Sequence, residues 1–320
     1  MSDPALVIGE ALIDEVHRGS TVERHPGGSP ANVALTLARL GAAPTLLSQW
    51  GPDDDGAALA SHLTAAGVAI AHGTVQDAPT SRAIATLSEA NEATYDFELT
   101  WDVKAKGDLG RYAHVHTGSI ATVLEPGATT VREVVERLSE RATVSVDPNA
   151  RPSLMGEPDR AWQRVSDVLE YADVVKASDE DVEWFTEGGS QDDFAEDLLA
   201  GGAALVIITR GATGVRAYTH AGEVERPAFE VRVADTVGAG DSLMGGVIDA
   251  LTRLNLTGAD NRDALAALTT GQVSDILTWA SAVAALTVSR AGANPPSATE
   301  VRRLLENADQ LPAFVRSGSS

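Results

Sequence analysis

The chain has 320 residues, 43% of them hydrophobic, and a formal net charge of −22 at pH 7. This length and composition suffice for a large core, while so acidic a surface repels nucleic acids and anionic membranes, neither of which we expect as a partner. Cysteine is absent, which excludes disulfides and thiolate metal sites and fits a reducing compartment. Without a signal peptide or an apolar run long enough to cross a bilayer, we expect a cytoplasmic location.

Short apolar runs typical of β-strands alternate with helical patterns along most of the chain. Strands are predicted at Ala5–Ile8, Pro44–Ser48, His114–His116, Thr143–Val146, Asp173–Lys176 and Leu205–Thr209. Helices are predicted between them near Pro30–Leu40, Gly56–Ala66, Ala128–Arg141, Arg160–Tyr171 and Asp192–Ala200. The alternation predicts an α/β fold, in which helices cover both faces of a parallel sheet and functional residues follow the strands.

Two segments interrupt this alternation. Thr80–Leu99 has the pattern of two strands around a turn at Ala90–Asn91, and a shorter strand pair is predicted at Ile13–Glu23. We interpret them as a small antiparallel sheet, either a surface hairpin or a lid, with lid segments near 13–24 and 75–105 inserted into a single domain over residues 1–310. The C-terminal part predicts helices at Ala239–Leu254, Ser274–Ser289 and Thr299–Asn307, followed by a disordered tail over residues 311–320.

The strongest motif is DTVGAGD, which runs from Asp235 to Asp241 and precedes an apolar helical stretch. Two glycines at a helix start leave backbone N–H groups that close around an anion, aided by the helix dipole. Asp241 falls in the first turn of that helix. A carboxylate there is placed to take a proton from a hydroxyl that attacks a phosphate. A glycine turn with Asp241 as a helix cap is the alternative, which the complete motif disfavours.

A second motif, GGSPANVA, begins with the paired glycines Gly27 and Gly28. Ser29 as the cap and Pro30 at the first helical position make a favourable helix start. The glycines allow a ligand close to the backbone, and the amide of Asn32, in the first turn, both donates and accepts hydrogen bonds. A capped helix without a ligand is the competing interpretation of this segment.

A third motif, GEALID, follows the first predicted strand and ends at Asp14, where a carboxylate is placed to hold the hydroxyls of a polyol. A solvent-facing aspartate at a strand end is the alternative. The sequence contains neither a P-loop nor a GxGxxG after a strand, so a nucleotide would be bound by another device. His114 and His116 face the same side of a strand, and because no third metal ligand is evident, we expect ordinary packing there.

Six motifs, GEALID, GGSPANVA, VDPNARP, VVKASDED, TRGATG and DTVGAGD, occur in an order that resembles the ribokinase or PfkB family of carbohydrate kinases over nearly the whole chain. GEALID, GGSPANVA and DPNARP most resemble fructokinases, and some 2-keto-3-deoxygluconate kinases are similar. The resemblance implies a ribokinase-like three-layer α/β/α sandwich with a mostly parallel central sheet and a small β-sheet lid. It also implies transfer of the γ-phosphate of ATP to a monosaccharide. Fructose is the first choice of acceptor, and 2-keto-3-deoxygluconate and ribose are the alternatives.

The resemblance implies a role for individual residues. Asp241 would be the catalytic base and would also contact the sugar. The anion hole for the transferring phosphoryl group would consist of Gly238, Ala239 and Gly240. The sugar would be bound by Asp14, Gly27, Gly28 and Asn32. The nucleotide would be bound by Thr209, Gly211, Gly214, Ser178, Asp181, Gly238 and Gly240.

Two cations are implied as well. Ser178 and Asp181 stand where the family has Asn-x-x-Glu, which organises Mg²⁺ and phosphates, and both departures shorten the reach; Asp181 would act on Mg²⁺ indirectly. Asp235, with carbonyls around Val237 and Thr287–Gly292, would form a site for a monovalent cation such as K⁺. Arg151, which follows DPN, either neutralises a phosphate or an acidic sugar or forms a surface salt bridge.

Two functions of other classes compete with the sugar kinase. A non-catalytic sugar-binding regulator on the same fold needs no base aimed at a phosphate, so Asp241 and its glycine loop argue against it. A nucleotide-binding oxidoreductase lacks its glycine fingerprint here. The sequence leaves open which sugar is the acceptor and whether the chain forms a homodimer through the lid.

Overall fold

A computed structural model describes residues 4–87, 93–105 and 109–316. The predicted turn at Ala90–Asn91 and the last four residues of the predicted tail lie outside the described residues. Within the remainder of that tail, Ala313–Arg316 forms a short helix, and Val315 is buried against the core. The expectation of a disordered tail over residues 311–320 is therefore wrong for this part, because its apolar side chains find a surface to pack on.

The strands, in chain order, are β1 (Ala5–Ile8), β2 (Leu12–Arg18), β3 (Thr21–Gly27), β4 (Thr45–Leu47), β5 (Ala69–Ile70), β6 (Arg82–Leu87), β7 (Ala93–Glu98), β8 (His114–Gly118), β9 (Thr143–Asp147), β10 (Val174–Ser178), β11 (Leu205–Thr209), β12 (Val215–Thr219) and β13 (Gly222–Arg226). The α-helices are α1 (Ser29–Arg39), α2 (Asp54–Ala65), α3 (Gly127–Ser139), α4 (Pro152–Met155), α5 (Pro158–Leu169), α6 (Asp179–Thr186), α7 (Gln191–Ala200), α8 (Ala239–Arg253), α9 (Arg262–Ala266), α10 (Thr270–Val288), α11 (Ala298–Asn307) and α12 (Ala313–Arg316).

The large sheet has the strand order β13-β12-β11-β10-β9-β8-β1-β4-β5 among the described residues. Every pairing from β5 to β11 is parallel, and the two described pairings at the other edge, β11–β12 and β12–β13, are antiparallel. The chain reverses its direction of winding at β1, which lies between β4 and β8. In open α/β sheets, ligands bind outside the carboxyl ends of the strands at such a switch point.

Helices cover both faces of this sheet. Residues of α1, α2, α8, α10 and α11 pack with Val7 and Leu46 on one face. Residues of α3, α5, α6 and α7 pack with Ile8 and Leu47 on the other. Neighbouring strand residues point to opposite faces because the side-chain period of a strand is two. The expected three-layer α/β/α sandwich is thus confirmed. Within the described part of the chain, no helix is long and apolar enough to cross a membrane.

The small sheet has the order β3-β2-β6-β7. Its two hairpins, β2–β3 and β6–β7, are antiparallel, but the central pair β2–β6 is parallel. The expectation of a purely antiparallel sheet is wrong at this pair. The hairpins come from separate parts of the chain and pair through their first strands, and no turn sets the relative direction of those strands. The exact segment boundaries predicted for the lid stay a prediction.

The two histidines of β8 are core residues. His114 and His116 are 1% and 0% exposed, and Nε2 of the first and Nδ1 of the second lie 2.7 and 2.9 Å from Oγ of Ser145. Burial lowers the pKa of each ring to about 3, so both are neutral. No group of three potential metal-ligating side chains was found in the described residues. The interpretation of this pair as strand packing is confirmed.

Candidate active site

Asp241 lies in the first turn of α8 and is 8% exposed. Ser29 Oγ donates to its Oδ1 at 2.7 Å, and Asn32 Nδ2 donates to its Oδ2 at 2.8 Å. These bonds join the start of α1 to the start of α8, and the bonded residues are more than 200 positions apart in the sequence. Hydrogen bonds to a carboxylate are about twice as strong as neutral ones, so the orientation of the Asp241 side chain is closely defined.

The start of α1 differs from the expectation in one respect. Gly28, with φ of 104°, occupies the cap position, and no side chain caps the helix. The prediction of Ser29 as the cap is wrong because its hydroxyl is used by Asp241. Pro30, predicted at the first helical position, is the second residue of α1, because the helix begins one residue earlier, at Ser29. Ser29 is therefore a candidate site residue, although its position in the sequence is typical of an ordinary helix cap.

The glycine loop before Asp241 is tightly packed. Gly238, the residue before α8, has φ of 75°, and a Cβ there would lie 2.8 Å from Cβ of Ala293. A Cβ at Gly240 would lie 2.9 Å from Nζ of Lys176. The first N–H groups of a helix have no partner within it, but the N–H of Ala239 donates to the carbonyl oxygen of Thr236 at 3.2 Å. The anion site formed by Gly238, Ala239 and Gly240 stays a prediction. Lys176 was not among the predicted site residues; its only signal was a lone lysine in an apolar strand.

Asp14 lies on β2 with its carboxylate against the paired glycines. A Cβ at Gly27 would lie 2.1 Å from Asp14 Oδ2, so glycine is needed there. Burial raises the pKa of Asp14 to about 6, the positive charges of His25 and Arg151 oppose the shift, and the charge of Asp241 adds to it. The charges of Arg151 and Asp241 therefore act on the Asp14 carboxyl group, and the binding of a sugar by these residues stays a prediction.

Glu10 is a second buried carboxyl group on which the charges of Arg151 and Asp241 act. It follows β1, is 5% exposed, and its carbonyl oxygen would lie 2.5 Å from a Cβ at Gly28. Burial raises the pKa of Glu10 to about 7, against a hydrogen bond from Ser119 and the charge of Arg151. Its Oε2 has no hydrogen-bond partner in the described part of the chain. Glu10 was not among the predicted site residues; the available signal was a glutamate two residues after the first buried strand.

Glu10→Gln should make stability less dependent on pH. The folded state holds the Glu10 proton up to about pH 7, whereas an unfolded glutamate loses it near pH 4.5. Stability of the wild type therefore falls as pH rises through this window, by up to about 3 kcal/mol at 1.36 kcal/mol per pKa unit. Urea unfolding at several pH values measures the difference. A wild-type curve parallel to that of Glu10→Gln from about pH 4.5 to about pH 8 would contradict the assignment.

Ser178 and Asp181 form a capping box at the start of α6. Ser178 Oγ accepts from the Asp181 N–H at 3.0 Å, and Asp181 Oδ2 accepts from the Ser178 N–H at 2.7 Å. Asp181 Oδ1 accepts from the N–H of Ala150 at 2.7 Å, which fastens the DPNAR loop to this helix. Arg151 donates to Asn149 Oδ1 at 2.8 Å in the same loop.

The other residues predicted to bind the nucleotide lie at and after the end of β11, the strand next to β10 in the sheet. Thr209 ends β11, paired in register with Ser178 at the end of β10. Gly211 and Gly214 follow with φ of 52° and 109°, and a Cβ at Gly214 would lie 2.1 Å from the carbonyl oxygen of Arg226. The structure therefore brings both predicted nucleotide segments to the same edge of the sheet, where the tight turn after β11 requires glycine.

Asp235 links two loops beside α8. Its Oδ1 accepts from the N–H of Val237 at 3.0 Å, and its Oδ2 accepts from the N–H of Gly292 at 2.9 Å. The carbonyl of Val288 accepts from the N–H groups of Ala234 and Asp235 at 2.8 and 3.2 Å. The Asp235 carboxylate and the backbone segments named for the predicted cation site are thus neighbours, and the cation itself stays a prediction.

The protein is a three-layer α/β/α sandwich in which a helix begins with a glycine loop and an acidic residue. This is the architecture of a ribokinase-like sugar kinase. The model of the pfkB family of carbohydrate kinases matches residues 6–300, and the chain belongs to this family. It is a fructokinase-like carbohydrate kinase.

Individual relatives agree with this assignment. The chain is 33% identical to a fructokinase of Rhizobium leguminosarum bv. trifolii over 262 residues, which cover 78% of this chain and 80% of that protein. A crystal structure of fructokinase with bound ATP from Xylella fastidiosa has a TM-score of 0.82 and 28% identity over 97% of this chain and 100% of that chain. The ribokinase of Thermotoga maritima, at 20% identity, has the same fold, with a TM-score of 0.72 over 95% of this chain and 100% of that chain.

Proposed function

We propose that this protein transfers the γ-phosphate of ATP to a hydroxyl group of fructose. The position of Asp241 carries the proposal: a buried carboxylate, held by Ser29 and Asn32, at the start of a helix that opens with a glycine loop. The Rhizobium relative is named a fructokinase and the Xylella structure contains ATP, which supports this acceptor and this donor.

The arrangement supplies the steps of phosphoryl transfer. Asp241 accepts the proton of the attacking hydroxyl. Its two bonded donors leave lone pairs on both oxygens for that hydroxyl. The N–H groups of Gly238 and Gly240 and the helix dipole stabilise the charge that develops on the phosphoryl group. The N–H of Ala239 donates to the Thr236 carbonyl at 3.2 Å and would have to leave that bond to take part. Asn32 donates an amide N–H to Asp241, and its side-chain oxygen can accept a hydrogen bond from the sugar. It therefore contacts both the catalytic base and the sugar.

Magnesium, when bound, neutralises charge on the phosphates. Mg²⁺ keeps several waters and takes one or two carboxylates in phosphate-transfer sites. Asp181 fits an indirect role of this kind, because both of its oxygens already accept one backbone N–H and a carboxylate offers about four lone-pair sites. Ser178 is engaged in the same capping box and would act by holding Asp181 in place.

An ADP-release assay over a panel of sugars tests the proposal. We expect the highest kcat/KM for fructose, ahead of 2-keto-3-deoxygluconate and ribose. A higher value for either of the other sugars would reassign the acceptor and leave the kinase in place. Calorimetric binding of a sugar without ADP release from any member of the panel would favour the non-catalytic regulator instead.

Asp14→Ala should lower kcat/KM for the sugar by at least about tenfold, since charge-assisted hydrogen bonds are worth roughly 1.5–3 kcal/mol. ATP affinity should hardly change, because Asp14 lies on the small sheet and the predicted nucleotide residues follow β10 and β11. Asp96→Ala, which removes an exposed carboxylate from β7 of the same sheet, is the matched control. Equal weakening of ATP and sugar would refute the two-sided site.

A monovalent cation near Asp235 should raise turnover, because its charge would strengthen the adjoining anion site. The motivation is the convergence of Asp235 with the Val237 and Gly292 backbone. Steady-state rates in potassium chloride are compared with rates in tetramethylammonium chloride at the same ionic strength. Equal rates in the two salts would remove this cation from the proposal.

A cytoplasmic location and a homodimer formed through the small sheet stay predictions from the sequence. The role of the small sheet as a lid belongs to the proposal as well. Its strand β2 carries Asp14, so movement of this sheet would change the sugar site directly. Closure of a lid excludes water from the transferring phosphoryl group.

A further inference from the structure

Lys176, in the middle of β10, and Asp147, at the carboxyl end of β9, form a buried ion pair. Lys176 Nζ donates to Asp147 Oδ2 at 2.7 Å, with side-chain exposures of 4% and 1%. The flanking residues Val175 and Ala177 pack on the opposite face of the sheet. Strand alternation therefore directs Lys176 to the face that α8 covers.

The ammonium group lies directly against the loop that opens α8. Its Nζ is 2.9 Å from the place that a Cβ of Gly240 would occupy. Burial lowers the pKa of Lys176, but the carboxylates of Asp147, Asp181 and Asp241 together raise it above its ordinary value. The group is consequently a fixed positive charge beside the backbone predicted to bind phosphate.

Stability is a poor explanation for this pair. A fully buried ion pair loses so much hydration that apolar residues of similar size are often as stable. Asp147 Oδ1 also lacks a hydrogen-bond partner among the described residues, which leaves the pair incompletely satisfied. At the same time, ATP carries several negative charges into a protein whose formal charge is −22 and which contains three lysines. A buried positive charge at this loop offsets that repulsion where the phosphates must sit.

We infer that Lys176 is a positioning residue of the anion site. Asp147 orients its ammonium group against the Gly238–Gly240 loop, where its positive charge attracts the phosphates to that loop. This inference rests on the proposed phosphoryl transfer at that loop. Lys176 adds to the field of the helix N-terminus, and Asp147 keeps its ammonium against Gly240. The residue acts on the polyphosphate of the nucleotide and leaves the adenosine part unaffected.

Nucleotide binding without sugar tests the inference. Lys176→Met should weaken ATP by about tenfold to a hundredfold, the range expected for a charged hydrogen-bonding group, and should change AMP affinity less than about twofold. Lys104→Met is the control, because this exposed lysine pairs with Asp102 and lies outside the six sequence motifs. Isothermal titration calorimetry gives both affinities. Equal losses for ATP and AMP would mean a structural role and would overturn the inference.

A double variant distinguishes a loss of ATP binding from a loss of folding. Lys176→Met leaves the Asp147 carboxylate buried without its partner, whereas Lys176→Met/Asp147→Asn removes both charges. We expect the double variant to recover the thermal stability lost by the single variant while its ATP affinity and kcat stay at least about tenfold below wild type. Wild-type ATP affinity in a folded double variant would overturn the inference. Failure of the wild type itself to bind ATP would instead refute the proposed function.

Discussion

Asp241→Asn should abolish nearly all sugar phosphorylation and leave the fold and ATP binding in place. The amide keeps the shape of the side chain: its oxygen still accepts from Asn32, and its NH₂ group donates to Ser29, whose hydroxyl also accepts. What disappears is the basic oxygen that takes the proton. Loss of a general base typically costs 10²–10⁴-fold, so kcat should fall by about that factor.

The measurement is steady-state ADP release with fructose, combined with calorimetric ATP affinity. Asp263→Asn, on the exposed side of α9, makes the same chemical change away from the site and should behave as wild type. An Asp241→Asn variant that keeps more than about a tenth of wild-type kcat would show that the proton goes to another group.

Gly240→Val should inactivate the protein by a different route. The new Cβ would approach within 2.9 Å of Lys176 Nζ, and that ammonium cannot retreat freely because Asp147 holds it at 2.7 Å. The added methyl groups also occupy the space through which a phosphate reaches the loop. We expect kcat to fall by at least about a hundredfold, comparable with the loss of one oxyanion-hole donor.

Gly271→Val provides a matched control for this change. Gly271 is likewise the second residue of its helix, α10, and a Cβ there would meet nothing closer than 3.9 Å, at Oγ1 of Thr269. Both variants carry the same valine penalty in a first helical turn, so the difference between their kcat values isolates the crowding at the loop. Near-normal turnover of a folded Gly240→Val variant would place the anion site elsewhere.

Local patterns determined much of the molecule. The alternation of apolar runs and helical segments was sufficient to predict a parallel sheet covered by helices on both faces. The periods of strands and helices are properties of short stretches of chain. The chain positions of Asp241 and Gly238 to Gly240 likewise followed from one motif, because a glycine turn and the helix it opens need only adjacent residues. The parallel pair β2–β6 escaped prediction, because the direction in which two distant hairpins meet has no local signal.

Only the tertiary structure decided what each of these side chains touches. Ser29 looked like a helix cap, yet its hydroxyl bonds to Asp241. Asp181 was assigned to Mg²⁺ by its motif, and only the structure shows that both of its oxygens accept backbone N–H groups. Lys176 was an isolated charge in an apolar strand until β9 and α8 brought Asp147 and Gly240 to it. The physical reason is that such contacts depend on strand order and helix docking, which arise from packing over the whole chain, whereas a motif records only its own neighbours.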